Sequence, residues 1–160
     1  MSFLARSVRA LHPIRLARSY ATEAAAAGLR LTFAVPHQTL FKNVAVSQVN
    51  IAAVSGDMGI LASHVPSIEQ LRPGIIEVLE GANSKKFFVS GGFATMNPDS
   101  TLNINAVEAF PVEEFSIEAI RQNLAEAQRL ANAGATEEEK IAAKIEVEVL
   151  EALQSAVSSK

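Results

Sequence analysis

The run Lys85-Lys86-Phe87-Phe88-Val89-Ser90-Gly91-Gly92-Phe93-Ala94-Thr95-Met96 places two apolar, aromatic segments on either side of a double glycine. Phe and Val fit a pleated, half-buried surface, so each flank is expected to be a strand and the whole a hairpin-like unit. Neither flank alternates with polar residues, so both are expected to be covered on both faces. Glycine tolerates positive φ, which makes Gly91-Gly92 a tight turn, a bulge or a close backbone approach. A phosphate-cradling loop would need a helix after the glycines, and no helical pattern follows. Ser90 has no neighbouring base, so it reads as a structural hydroxyl rather than a nucleophile.

Working outward, further strand patterns surround this run. Leu29–Val35 alternates and stops at Pro36, where the ladder loses a donor. Val44–Ile51 is a second alternating run. Ile75–Glu80 is launched by Pro73-Gly74 and closed by Gly81-Ala82-Asn83, and Thr101–Val107 follows the turn Asn97-Pro98-Asp99-Ser100. Short strands punctuated by turns imply an antiparallel β-sandwich over residues 29–109.

After Pro111 the period becomes helical. Ile117, Ile120, Leu124, Ala127 and Ala131 form one stripe, with Ser116 as N-cap and Gly134 as the stop. Thr136-Glu137-Glu138-Glu139 reads as a capping box opening a second helix to about Val157. On that helix Ile141, Ile145, Val149, Ala152 and Ala156 form one stripe, and Val147, Leu150, Leu153 and Val157 a second. The short connection implies an antiparallel two-helix hairpin over residues 110–160. A helix apolar on two faces is expected to pack on the sandwich and also on a partner.

The first twenty residues hold Arg6, Arg9, Arg15 and Arg18 and no acid, interleaved with Phe3, Leu4, Val8, Leu11, Ile14 and Leu16. That composition is expected of a mitochondrial transit peptide over residues 1–20, and the interrupting Arg and His residues exclude a secretory core. Residues 21–28 read as an Ala-rich flexible spacer. The remaining chain carries ten Lys and Arg against seventeen Asp and Glu. So acidic a body is ill suited to nucleic acid, whose phosphates need a basic surface. No run reaches the roughly 18 apolar residues of a membrane span. With no cysteine in 160 residues, disulfides, thiolate metal sites and cysteine nucleophiles are excluded. Asp57, Ser63 and His64 do not signpost a triad, and no metal-ligand spacing occurs, so no catalytic residue, cofactor or metal is expected.

One segment is more specific than the rest: Gly56-Asp57-Met58-Gly59-Ile60-Leu61-Ala62-Ser63-His64-Val65-Pro66, followed by Leu71-Arg72-Pro73-Gly74 and, at a distance, Val89-Ser90-Gly91-Gly92-Phe93. It resembles the G-x-x-G-x-L-x-x-H-x-P…L-x-P-G and V-S-G-G-F pattern of the small rotor-stalk subunit of F-type ATP synthases, called delta in mitochondria and epsilon in bacteria. The resemblance covers Leu31 to the end. It implies a β-sandwich followed by a helical hairpin and a non-catalytic place in the central stalk, on the matrix side of the mitochondrial inner membrane. The implied partners are the gamma subunit, the mitochondrial epsilon subunit and the c-ring. It further implies that the loop bearing the glycines and the histidine faces the c-ring, making Asp57, Met58 and His64 candidate contacts. Gly56, Gly59, Pro66, Pro73, Gly74, Ser90, Gly91, Gly92 and Phe93 are the structural positions of the pattern. Some bacterial relatives bind ATP through I-D-x-x-R-A on the hairpin. Here Ile117-Glu118-Ala119-Ile120-Arg121-Gln122 departs at two positions, so nucleotide binding is not expected. The alternative reading is a free-standing β-sandwich ligand-binding module of the mitochondrial matrix.

Overall fold

A computed structural model describes residues 28–134 and 136–158. The expected targeting segment and nearly all of the spacer lie outside the described residues. Among the described residues, ten strands are followed by two helices. The strands are β1 Leu29–Val35, β2 Gln38–Val46, β3 Gln48–Ala53, β4 Gly56–Ile60, β5 Ser67–Leu71, β6 Gly74–Glu80, β7 Asn83–Val89, β8 Gly92–Met96, β9 Thr101–Ala106 and β10 Ala109–Pro111. A single 3-10 turn, Val112–Glu114, leads to α1 Ile117–Ala133 and α2 Glu137–Ser158.

The strands form one curled sheet in the order β10-β7-β6-β3-β5-β8-β9-β1-β2, with β4 on β3. The curl makes two layers, β10-β7-β6-β3-β4 and β5-β8-β9-β1-β2. Only the pair Ala53↔Leu71 joins β3 to β5 in register. Beside it, the Val54 amide donates to Gln70 O and the Arg72 amide to Ala52 O. That corner is where the sheet turns from one layer to the other. The sandwich and helical hairpin are as expected, except that β1 and β9 pair in parallel.

The flanks of the double glycine do not pair with each other. β7 pairs with β6 and β10, whereas β8 pairs with β5 and β9. Gly91-Gly92 is therefore a crossing between layers rather than the tip of a hairpin. Both glycines have positive φ, +157° and +149°. A Cβ on Gly92 would overlap the Asn105 carbonyl oxygen and stand 2.7 Å from Ala106 Cα, so β8 meets β9 at a distance only glycine permits. A Cβ on Gly91 would meet only Leu71 O, at 3.6 Å.

Alternation along β1 sends Leu29, Leu31, Phe33 and Val35 inward, and all are buried. Phe33 of β1, Phe41 of β2 and Phe87 of β7 meet between the layers, with centroids 5.7–6.4 Å apart. Phe88, the neighbour of Phe87, points the other way. With Val112, Ile120, Leu153 and Ala156 it forms a second core, on which the hairpin rests. β7 is thus covered on both faces, as expected. β8 is not, because Phe93 is 55 % exposed.

Other expectations also shift. The run Val44–Ile51 is two strands, broken at Ser47, whose hydroxyl accepts the Gly81 amide at 3.0 Å. The helix ends form as read. The Ser116 hydroxyl accepts from the Ala119 amide at 3.5 Å. Thr136 and Glu139 form the reciprocal capping box, with Glu139 N to Thr136 Oγ1 at 3.1 Å and Thr136 N to Glu139 Oε2 at 3.3 Å. Gly134 ends α1 in a non-left-handed conformation, φ −58°. Its use is space, since a Cβ would lie 2.8 Å from Leu130 O. On α2 the expected stripe is only half buried: Ala156 is covered while Ile141 and Ile145 are exposed. Ala143 and Leu153 are buried on the same helix.

Gly92→Ala should destabilise the sandwich by about 3 kcal/mol, combining strained φ with backbone overlap. Gly91→Ala should cost about 1–2 kcal/mol, from φ alone. Urea unfolding of the two variants side by side checks the order; equal costs would remove the close approach as the cause.

Candidate functional site

The first part of the Gly56–Pro66 segment is a strand, β4, and the loop is confined to Leu61–Pro66. β4 pairs with β3 from Ala53↔Gly56 to Val49↔Ile60 and, among the described residues, has no strand neighbour on its other side. The strand is built on a sequence poor in strand formers because β3, buried at Val49, Ile51 and Ala53, supplies the template. Gly59 has a specific use. A Cβ there would come within 2.8 Å of Gln48 Nε2 and 3.0 Å of Asn50 Oδ1.

That space admits a polar ladder across the outer face of the first layer. Gln48 Nε2 donates to Asn50 Oδ1 at 2.6 Å, and Asn50 Nδ2 donates to Glu77 Oε2 at 2.9 Å. The Ser84 hydroxyl donates to Glu77 Oε1 at 2.8 Å, and Lys86 Nζ stands 4.0 Å from the same oxygen. The Ser84 hydrogen bond, then that of Asn50, lowers the Glu77 pKa below its ordinary value.

The three candidate contacts do not cluster. Asp57 lies at the start of β4, where its carboxylate accepts from Arg72 Nη2 at 2.6 Å. Both side chains are well exposed, so the pair fixes geometry more than it adds stability. Met58 is half-buried against the sandwich core. His64 lies beyond the other end of β4, and β4 alone spans roughly 13 Å. The His64 amide donates to Leu61 O at 3.2 Å, closing the turn Leu61–His64, and its Nδ1 lies 2.9 Å from Val65 O. Among the described residues no group of three or more His, Cys, Asp or Glu could hold a metal. No described helix is long and apolar enough to cross a membrane.

The structural positions of the pattern have separate tasks. Gly56 carries φ +134° at the start of β4. Gly74 is buried with a virtual Cβ only 2.7 Å from Ala52 Cβ, so it lets β6 pass beside β3 after Pro73. Pro66 is exposed and enters β5, and Ser90 precedes the layer crossing.

Two features escaped the sequence reading. One is the free edge of β4, continuous with exposed apolar residues of the loop and of β5: Leu61 is 51 %, Val65 69 % and Ile68 74 % exposed. The GxxG spacing suggested a loop, and nothing local marks an edge. The other is a cleft of about 720 Å³ between hairpin and sandwich, lined by Val54, Leu71, Phe93, Val107, Ile145 and Val149 among others. Its only sequence signal is the first apolar stripe of α2, which carries Ile145 and Val149. A second cleft, of about 500 Å³, includes Asp57, Met58, Arg72, Glu77 and Ser155 in its lining.

Residues 28–111 match the family model described as the beta-sandwich domain of the ATP synthase delta/epsilon chain. Residues 115–155 match the C-terminal domain of the fungal epsilon subunit of F1F0-ATP synthase. The chain is 57 % identical over 154 residues to mitochondrial ATP synthase subunit delta of Eremothecium gossypii, covering 96 % of each chain. It is 58 % identical over 139 residues to the subunit of the same name from Saccharomyces cerevisiae, covering 86 % of each. Among solved structures, a chain of the Euglena gracilis mitochondrial ATP synthase, in a complex of OSCP, F1 and c-ring, superposes with a TM-score of 0.77 at 34 % identity, over 82 % of each chain. A chain of the Tetrahymena thermophila central stalk and c-ring superposes with a TM-score of 0.60 at 20 % identity, over 81 % of this chain and 96 % of that one. The latter likeness shows the fold alone.

Because the folded Glu77 pKa is lowered, its contribution to stability is complete above the ordinary glutamate pKa. It is lost as pH falls through the lowered folded value. Glu77→Gln should flatten that part of the acid unfolding profile, as followed by circular dichroism. An unchanged slope would show that the ladder does not hold the carboxylate.

Proposed function

The chain belongs to the ATP synthase delta/epsilon family, and on that premise we propose that it is a central-stalk subunit of a mitochondrial F-type ATP synthase. It does no bond chemistry. It joins the gamma subunit to the c-ring and helps carry proton-driven rotation to the catalytic head. Its proposed partners are gamma, the mitochondrial epsilon subunit and the c-ring, and its place is the matrix side of the inner membrane. Residues 1–20 are the proposed targeting segment and 21–28 the spacer, before the sandwich (29–109) and the hairpin (110–160).

One observation carries the reading: the unpaired edge of β4 runs into the exposed apolar turn and β5, making a ledge beside the sandwich. An unpaired edge with exposed apolar side chains is a liability unless a partner covers it. Asp57 and Met58 lie along this ledge and His64 at its far end, so the proposed c-ring contact runs the length of β4 rather than at one loop. A close-packed sandwich suits the task, because it passes strain on instead of absorbing it. The names and complexes of the relatives above support the same assignment.

Replacing the native chain in cells with Asp57→Lys or Leu61→Asp should lower c-ring retention in the purified complex about tenfold, the effect of losing one central contact. Retention of gamma should change little. Full ring retention by both variants, with coupled ATP synthesis intact, would sink the ledge as the contact face.

A further inference from the structure

We infer that Ser100 is a positioning residue for the turn Leu61–His64, its buried hydroxyl holding that turn in the shape the rotor contact needs. The inference rests on the ledge reading above. Ser100 is 3 % exposed. Its hydroxyl oxygen accepts the Ser63 amide at 3.1 Å, across a separation of 37 residues.

The contact joins two strained residues. Ser63 has φ +63° and Ser100 φ +61°, and neither is glycine. In the turn Leu61–His64, Ser63 occupies the third position, where a positive φ is ordinarily left to glycine or asparagine. A non-glycine residue stays there only when its surroundings over-determine it. The turn's own contribution is one bond, His64 N to Leu61 O at 3.2 Å. The external hold is Ser100.

Ser100 is in turn tied to the body of the sandwich. Its amide donates to Asn97 O at 3.3 Å, and its carbonyl accepts the Arg30 amide of β1 at 3.0 Å. The turn that carries it is stiffened by Asp99, whose Oδ1 accepts from the Thr101 amide at 3.2 Å and the Thr101 hydroxyl at 2.6 Å. Asn97 Nδ2 also donates to Thr101 Oγ1 at 2.8 Å. The path therefore runs from the β1/β9 layer, through one hydroxyl, to the exposed Leu61 and Val65. A loop that bears torque needs such a tie, since closure of its own ends leaves it free to rock.

The test uses Ser100→Gly and Ser100→Ala in the full chain, assembled into the enzyme. Glycine removes the hydroxyl and relieves φ at position 100; alanine removes the hydroxyl and keeps the strain. Amide exchange of residues 61–66 should quicken about five- to tenfold in both variants, the ratio one lost hydrogen bond gives. Exchange in β1, β3 and β9 should stay unchanged, and ATP-driven proton pumping per ATP hydrolysed should fall. Three outcomes would overturn the inference: no local quickening, quickening throughout the sandwich, or local quickening with pumping unaltered. An effect of alanine without one of glycine would do so as well, by assigning the effect to strain. Leu61→Asp separates this from the underlying reading. If that variant leaves the ring bound and pumping intact, the ledge fails; if it releases the ring while Ser100→Gly does nothing, Ser100 alone fails.

Discussion

No side chain fits where β8 passes the end of β9. The Asn105 carbonyl and the Ala106 backbone occupy the space that any Cβ on residue 92 would need. This close approach lets the chain leave β7 in one layer and enter β8 in the other within two residues. Once β8 is placed, β5 and β9 have their shared partner, and the corner at Ala53 and Leu71 has its geometry. β7 is then free to be covered twice, by Phe33 and Phe41 on one side and by the hairpin on the other.

That arrangement explains how a sandwich of modest core carries a helical hairpin. Phe87 and Phe88 are adjacent and point to opposite faces, so one strand contributes an aromatic anchor to each core. Phe115 extends the outer anchor, meeting Phe88 edge-on at 6.0 Å and Phe110 at 6.2 Å. The alanine-rich faces of the helices add close approach rather than large buried area. Their orientation is therefore set by a few residues, Ile120, Leu153 and Ala156 among them. Ile141 and Ile145, higher on α2, are left uncovered.

What was legible in the sequence follows the range of the forces involved. Helix caps are local, and Ser116, Thr136 and Glu139 act as their spacing says. Strands rich in Phe, Val, Ile and Leu declare themselves by composition. β4 does not, because Gly56, Asp57 and Gly59 are poor strand formers held by pairing to β3. Pairing partners are long-range, so the flanks of the double glycine resembled a hairpin while joining different layers. The same limit applies to the candidate contacts. Asp57, Met58 and His64 are close in sequence, yet Asp57 and Met58 alternate across β4 and His64 lies in the turn beyond its end. Ser100 gave no signal, since an isolated serine in an Asn-Pro-Asp turn has an ordinary local explanation.

The parallel pairing of β1 with β9 has a consequence for how the domain forms. Arg30 sits beside Thr101, about seventy residues later in the chain. β2 can join β1 by a short connection, but the other edge of β1 stays open until β9 exists. Closing so long a loop is entropically slow and brings reward only at the end. The helical hairpin, made of near neighbours, has no such delay. A chain truncated before Thr101 would therefore present β1 as a bare, apolar edge, prone to pairing with other molecules. The first strand is thus safe only once the chain has reached β9.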